Sequence, residues 1–258
     1  SYELGTNLEN LTLLGSAAVN ATGNSLRNVL VGNAADNILD GKRGADTLKG
    51  GAGNDTYHVD NVRDVISGES KAGTSGDRVV SSLTWSLAGD YVERLALTGD
   101  KDIDGTGNTL ANAISGNGAD NVLTGMAGND SLSGGAGNDV LVGGAGADKL
   151  TGGSGWDRFT FNAASESSRS ASDRIVDFDN SRDWIDLSSF DADSAAAGRQ
   201  SFTFIGEAAF AADGTAQLRV EVQDGKLMLY GSTDADASAE FAVQVSGVDA
   251  LTTNDMLL

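Results

Sequence analysis

The sequence predicts an all-β fold in which short parallel strands stack into a β-roll, a form of β-solenoid. Three observations predict it: glycine recurs with a nine-residue period, the eighth position of each period is apolar, and the sixth is Asp or Asn. The first six residues of each unit are rich in glycine and suit a tight turn. The last three residues suit a short strand with one inward side chain. Two units make one coil, so residues 18 apart in the sequence should be neighbours in adjacent coils.

The repeats form two arrays. The first starts its units at Gly23, Gly32, Gly41 and Gly50, and the second at Gly107, Gly116, Gly125, Gly134, Gly143 and Gly152. A lead-in segment precedes each array, because the pattern from Glu9 to Asn28 recurs from Glu93 to Asn112. We therefore expect a duplicated unit: residues 1–91 hold the first lead-in, a short array and a linker, and residues 92–160 hold the second lead-in and the main roll.

The nonapeptides stop after Phe161. The remainder consists of short apolar runs separated by Asp-Gly and Gly-Ser turns, which is a strand pattern. An uncovered solenoid end would expose apolar surface and unpaired backbone. Residues 161–258 are therefore expected to form a C-terminal β-rich cap on the roll.

Composition limits the partners of this chain. Its 37 acidic and 17 basic residues give a formal net charge of −20. This charge argues against nucleic acid and anionic membranes as partners and favours cations. Cysteine is absent, which excludes disulfides and zinc–thiolate sites. No apolar run approaches the length of a membrane span.

The same pattern predicts a need for bound cations. Each nine-residue unit buries one large apolar side chain, which is little compensation for ordering its backbone. Carboxylates stacked at the strand spacing, about 5 Å, also repel one another. A divalent cation between coils would reverse that repulsion. Oxygen ligands without His or Cys select Ca²⁺, so we expect several calcium ions and an unfolded calcium-free chain.

The repeat, as in the unit GGAGNDVLV that starts at Gly134, resembles the calcium-binding nonapeptide of RTX (repeats-in-toxin) proteins. The resemblance implies that Asp130 shares an ion with Asp148, Asp139 with Asp157, and Asp46 with Asp64. It also implies ligands at Asp55, weaker ones at Asn28, Asn37, Asn112 and Asn121, and calcium-binding turns at Gly51, Gly53, Gly135, Gly137, Gly144, Gly146, Gly153 and Gly155. Lys42 and Met126 replace the second glycine of their turns, where altered geometry is expected.

The segment from Gly155 to Phe161, together with the segments 173–178 and 186–188, resembles the C-terminal domain of serralysin-type proteases. That resemblance implies Gram-negative type I export to the extracellular space through the type I secretion apparatus. The last residues, Asp255–Leu258, are similar to the family's C-terminal secretion signal, and we expect them to matter for export and not for folding. Because the chain starts at Ser1 and not Met, we expect an upstream enzyme, toxin or adhesin as cargo.

Two other functions are considered. The chain could be a polysaccharide- or cell-surface-binding module, similar to alginate epimerase R-modules. An enzyme is disfavoured, because no catalytic constellation is found and His58, the single histidine, lacks a metalloprotease or triad context. Trp85, Trp156 and Trp184 are expected to pack in the core or at coil ends. Asp234, Asp236, Ser238 and Glu240 are expected to form a charged turn.

Overall fold

In a computed structural model, which describes residues 1–69, 76–192, 198–234 and 236–258, the chain is all-β. The described residues contain one short 3₁₀ helix (Thr253–Asp255) and no α-helix. The first ten strands are β1 (Tyr2–Glu3), β2 (Asn10–Thr12), β3 (Ala21–Thr22), β4 (Val29–Val31), β5 (Ile38–Asp40), β6 (Thr47–Lys49), β7 (Thr56–Val59), β8 (Val65–Ile66), β9 (Arg78–Ser81) and β10 (Trp85–Ser86).

The second array and the cap supply the other strands. The next eight are β11 (Arg94–Leu97), β12 (Gly105–Thr106), β13 (Ala113–Ser115), β14 (Val122–Ala127), β15 (Ser131–Ala136), β16 (Val140–Ala145), β17 (Lys149–Ser154) and β18 (Arg158–Thr160). The last seven are β19 (Asp173–Ile175), β20 (Trp184–Asp186), β21 (Thr203–Phe204), β22 (Gln217–Gln223), β23 (Lys226–Ser232), β24 (Phe241–Val245) and β25 (Met256–Leu257).

The predicted parallel β-roll is confirmed. From β1 to β18, consecutive strands alternate between two sides of the roll, and all of them except β8 pair in parallel with the strand two places along, as Leu132 with Leu150 in β15 and β17. All ten position-eight residues are at most 1% exposed, so one inward side chain per unit builds the core. Their list is Leu30, Leu39, Leu48, Tyr57, Ile114, Leu123, Leu132, Leu141, Leu150 and Phe159.

The two arrays share one sheet on one side of the roll. Odd-numbered strands run without a break from β1 to β19 through β9 and β11, which connect the first array to the second. On the other side the sheet is divided into β2-β4-β6-β8 and β10-β12-β14-β16-β18-β20-β25. The arrays therefore stack into a single roll that is continuous along one side only.

The cap covers the end of the roll with a mixed sheet. β24 pairs in parallel with β19 and antiparallel with β23, which forms a hairpin with β22. Phe161 and Phe190 pack edge-on against Phe241 at ring-centre distances of 5.3 and 5.5 Å. These aromatic contacts join the last coil to the cap, as expected for a solenoid end that must be covered.

The C-terminus is part of the fold. In β25, Met256 is buried and pairs with Ile185 of β20. Asp255 is buried and its carboxylate accepts hydrogen bonds from the backbone and hydroxyl of Thr252. The sequence predicts that these residues serve export and not folding. In the structure they also contribute a strand to the roll.

The tryptophans, which are expected to pack in the core or at coil ends, differ in their burial. Trp85 is half-buried against the core, as expected. Trp156 instead is 53% exposed, and its ring lies 5.3 Å from that of Trp184. It occupies position five of its unit, which faces outward, so core packing does not account for it.

Candidate metal centres along the turns

The position-six side chains form columns along the edges of the roll. The backbone N–H of each donates to the carboxylate Oδ1 of the Asp in the next coil, at 2.7 Å from Asp130 to Asp148 and 2.9 Å from Asp139 to Asp157. The same contact joins Asp46 to Asp64 at 2.9 Å. The structure therefore brings together the three residue pairs that the 18-residue spacing predicts, because parallel stacking in register places them in adjacent coils.

The second carboxylate oxygen has no partner. Oδ2 is buried and without a hydrogen bond within the described residues in Asp46, Asp55, Asp130, Asp139, Asp148 and Asp157. Asp64 differs, because its Oδ2 accepts hydrogen bonds from the backbone N–H groups of Asp60 and Asn61. A buried, unpartnered carboxylate oxygen is costly unless a cation neutralises it. These oxygens are the donor atoms that a hard metal ion would use.

Burial also raises the pKa of these carboxyl groups. It raises the pKa of Asp130 and Asp139 to about 7, and of Asp46, Asp55 and Asp148 to about 6. The backbone N–H donated to each Oδ1 partly offsets this effect, and a stacked carboxylate adds to it for Asp130 and Asp139. The pKa of Asp157 is raised for the same main reason. Without a cation, the folded roll therefore disfavours the charged form.

Backbone carbonyl oxygens surround the same positions. The Oδ2 of Asp130 and the carbonyl oxygen of Gly143 lie 2.3 and 2.4 Å from the place that a Cβ on Gly125 would occupy. At Gly146 and Gly155, a Cβ would lie 1.8 and 1.9 Å from a carbonyl oxygen of the coil below. Only glycine permits this approach, and all eight predicted turn glycines have positive φ. Carboxylate and carbonyl oxygens together form the donor set that Ca²⁺ takes.

Two turns have another residue in place of the second glycine, and that residue keeps the left-handed conformation of the glycine. Lys42 and Met126 adopt φ values of 61° and 83°. Such values are uncommon for residues with a Cβ. The altered geometry expected at these turns is therefore not found, since the stacking of the neighbouring coils holds the left-handed conformation.

The turns with Asn at position six are closed by their own amides. The Oδ1 of Asn121 accepts from the backbone N–H of Asn117 at 2.8 Å, and its NH₂ group donates to the carbonyl of Ile103 at 2.6 Å. The corresponding contacts occur at Asn28, Asn37 and Asn112. The side-chain oxygens of these four residues thus already have hydrogen-bond donors, unlike the Oδ2 atoms of the Asp turns.

Sequence reasoning missed three members of the columns. Asp77, Asp173 and Asp183 accept the backbone N–H of Asp55, Asp148 and Asp157 at 2.7, 2.8 and 3.1 Å. They lie 22, 25 and 26 residues after these donors, so the 18-residue spacing does not find them. The available signal is an Asp two residues before an inward apolar residue, as at position six of a repeat, without the preceding glycines.

Asp173 is the most deeply altered of these groups. Its Oδ2 is buried without a partner, and burial raises its pKa to about 8, with the nearby carboxylate of Asp148 contributing.

An acidic cluster outside the columns lies in the cap, where Asp234, Asp236 and Glu240 have carboxylate oxygens within 4.8 Å of one another. Asp234 and Asp236 are exposed, and all three accept hydrogen bonds from their own loop, which fits the expected charged turn.

Comparison with known proteins agrees with this geometry. Residues 88–258, more than half of the chain, match the family described as peptidase M10 serralysin C-terminal. Residues 22–69 match the RTX calcium-binding nonapeptide repeat. No curated protein sequence gives a significant match.

Two solved structures from Azotobacter vinelandii are similar, both from a mannuronan C5-epimerase. The AlgE6R3 subunit has 34% identity and a TM-score of 0.42, over 57% of this chain and 78% of that one. The AlgE6R2 subunit has 29% identity and a TM-score of 0.44, over 61% and 92%. Within the described residues, no helix is both long and apolar enough to cross a membrane.

Proposed function

The chain belongs to the peptidase M10 serralysin C-terminal family, and on that premise we propose that it is a calcium-triggered folding and export module for an upstream enzyme, toxin or adhesin. Its RTX repeats are calcium-binding elements and not catalytic ones. The family and the repeats are typical of proteins that leave the cell by type I secretion. In this proposal the module stays unfolded at the low free calcium of the cytoplasm and folds in the millimolar calcium outside.

The buried, unpartnered Oδ2 atoms support this proposal best. A folded roll without calcium must hold several such carboxylates at neutral pH, although burial favours their protonated form. Calcium binds the folded roll and has no comparable site in the unfolded chain, so it stabilises folding by mass action. We assign the ions to the Asp-type turns, with Asp46, Asp55, Asp130, Asp139, Asp148 and Asp157 as carboxylate ligands and the turn glycines as carbonyl donors.

The Asn-type turns need no ion in this assignment. Their amides supply both the acceptor and the donor that close the turn, as at Asn121. Each array begins with two such turns, one on each side of the roll. The first coil of each array would then fold on hydrogen bonds alone and offer a template on which the calcium-bound coils stack.

The buried tail supports export in the unfolded state. Because Met256 is buried and Leu257 pairs with Asp186 in the folded roll, a secretion apparatus would find this segment accessible only before folding. Low cytoplasmic calcium would keep it accessible, and folding outside would prevent the chain from sliding back. The export signal and the last strand of the roll would thus be the same residues, used at different times.

A calcium titration followed by circular dichroism tests the folding proposal. In EDTA we expect mostly coil, and in millimolar Ca²⁺ a cooperative gain of β signal, with Mg²⁺ at the same concentration much less effective. A chain with full β signal in EDTA contradicts it. For export, the chain with its last four residues replaced by Gly and Ser should fail to leave a host that carries a type I system, and undiminished secretion contradicts that role.

One observation favours a second function, binding of a polysaccharide. The exposed ring of Trp156 and the half-buried ring of Trp184 flank an open cavity of about 410 Å³ with Arg158 and Asn138. Aromatic faces beside hydrogen-bonding groups suit sugar rings. Calcium-loaded protein on a glycan array, compared with Trp156→Ala, tests it. Equal glycan binding by both proteins, or none by either, removes this candidate.

A further inference from the structure

Basic side chains form a row on the outer face of the continuous sheet. Arg78 of β9 pairs in register with Arg94 of β11, and Lys149 of β17 pairs with Arg174 of β19. Each stands directly before the buried residue of its strand, so its side chain points away from the core, and all four are exposed. Like charges on directly opposite residues of neighbouring strands repel one another. The row therefore contains two pairs of like charges, each of which opposes folding.

The row has no acidic partners on its own face. Ala113 of β13 and Ser131 of β15 complete it between the two basic pairs. The next outward row, two residues further along each strand, consists of Val80, Ala96, Ser115, Ser133 and Thr151. In these described strands neither outward row contains Asp or Glu, and no ion pair there involves the four basic residues. This face is therefore positively charged in a chain whose formal net charge is −20.

The row ends beside a cavity in the cap. Gln244 of β24 continues the row and lines a cavity of about 330 Å³ together with Arg169 and Lys226. The Arg169 guanidinium lies over the ring of Tyr230, 5.7 Å from its centre, and makes no ion pair within the described part of the chain. Asp224, which is exposed in the turn between β22 and β23, also lines the cavity. Two cations, one aromatic face and an amide thus lie next to the end of the basic row.

We propose that this face binds an acidic polysaccharide, whose carboxylates lie on the basic row and whose chain reaches the cap cavity. Arg and Lys donate charge-assisted hydrogen bonds to carboxylates. The cations follow a line from β9 to β19, which spans five strand spacings, about 24 Å. Such a line fits an extended polymer with repeated negative charges. The hydroxyls of Ser131 and Ser133 and the amide of Gln244 lie among the cations, where they can bond sugar hydroxyls.

Other polyanions fit this surface less well. Bases of a single-stranded nucleic acid stack on aromatic side chains. The two outward rows, all of whose residues are described, contain no aromatic residue and no large apolar side chain beyond Val80 that could enter a membrane. The acidic columns lie at the edges of the roll, and bound calcium would offset part of their charge. The surface goes beyond calcium-triggered export, and it lies on the sheet opposite to the Trp156 cavity, whose Trp184 belongs to β20.

Binding of an oligogalacturonate too short to gel with calcium tests this surface. Arg174→Gln combined with Lys226→Gln removes two cations and keeps long polar side chains. In calorimetry on calcium-loaded protein, the dissociation constant should rise about tenfold or more, because charge-assisted hydrogen bonds are lost. The matched control is Arg27→Gln with Lys49→Gln, which removes one exposed Arg and one exposed Lys of the first array that lie outside the row. This control should leave the dissociation constant unchanged.

Further ligands define the chemistry that the surface recognises. Dextran oligomers, which are neutral, should not bind, and added salt should weaken oligogalacturonate binding. Equal oligogalacturonate binding by the wild type and the Arg174/Lys226 variant overturns the proposal, as does tighter binding of single-stranded DNA or anionic vesicles.

Folding of each variant is checked by its calcium midpoint in circular dichroism, which should match the wild type because the replaced residues are exposed. If the Arg174/Lys226 variant does not fold, Arg169→Gln, which alters a loop residue and not a strand, carries the same test with the same expected direction. A wild type that folds with calcium and does not bind the oligogalacturonate overturns this proposal and leaves calcium-triggered folding intact.

Discussion

Replacing Asp139 by Asn should have opposite effects on folding with and without calcium. Asp139 is buried, its Oδ1 accepts from Asn121, and its Oδ2 has no partner. A carboxyl whose pKa rises from 3.8 unfolded to about 7 folded disfavours the calcium-free roll at pH 7 by about 4 kcal/mol. Asn keeps the shape and the Oδ1 acceptor but carries no charge. Asp139→Asn should therefore stabilise the calcium-free roll by up to about 4 kcal/mol, less whatever its new NH₂ group loses by lacking an acceptor.

With calcium, the same substitution should make folding less favourable. Asp139 lies between Asn121 and Asp157 in its column, so in our assignment it contributes to an ion on either side. Loss of a supporting residue outside the coordination sphere costs roughly 10–100-fold in metal affinity, so loss of a direct ligand should cost at least the upper end of that range, about 100-fold, at each ion. Two ions at about 2.7 kcal/mol each amount to about 5.5 kcal/mol of lost calcium binding, which exceeds the gain of up to about 4 kcal/mol in the calcium-free roll. The calcium midpoint of folding should therefore rise.

Two titrations of the same variant measure its folding without calcium and with calcium. In EDTA, an osmolyte titration drives the calcium-free chain towards its folded state, and the osmolyte midpoint should fall for Asp139→Asn. In buffer without osmolyte, the calcium midpoint measured by circular dichroism should rise. Asp102→Asn, which removes an exposed carboxylate, should change neither by much. A calcium-free variant no more stable than the wild type would refute the reasoning that burial of this charge opposes folding.

Three further predictions follow from the same contacts. In EDTA, folding should become more favourable as the pH falls from 7 towards 4, because the folded-state pKa values of about 6–7 lie above the unfolded value of 3.8; an osmolyte midpoint that is independent of pH contradicts this. Asp139→Ala should raise the calcium midpoint more than Asn28→Ala does, since the Asn28 oxygen is already hydrogen-bonded; an equal shift would indicate that ions are not shared between coils. Deletion of Asp255–Leu258 should lower the melting temperature of the calcium-bound protein by several degrees, because it removes β25 and the buried Met256; an unchanged melting temperature would restore the expectation that the tail serves export alone.

The regular part of the roll could be predicted from the sequence because its contacts repeat at a fixed separation. An inward residue at position eight, such as Leu132, meets its equivalent 18 residues later, and the turn glycines give the chain the same bend each time. Calcium could be predicted for the same reason, since a period that stacks Leu on Leu also stacks Asp on Asp. Where the period holds, local sequence determines the long-range neighbours.

The tertiary structure alone decided the rest, because insertions break the period there and neighbours no longer lie at a constant separation. Asp77, Asp173 and Asp183 join the columns after 22, 25 and 26 residues, and only the strand pairing around them reveals it. Only the strand pairing also shows which side of the roll continues from the first array to the second. The hydrogen bond from the Tyr57 hydroxyl to the Glu69 carboxylate likewise follows no fixed spacing. The surroundings likewise distinguish aspartates at equivalent positions of the columns. The Oδ2 of Asp139 is buried without a partner, whereas the Oδ2 of Asp64 accepts hydrogen bonds from two backbone N–H groups of its loop.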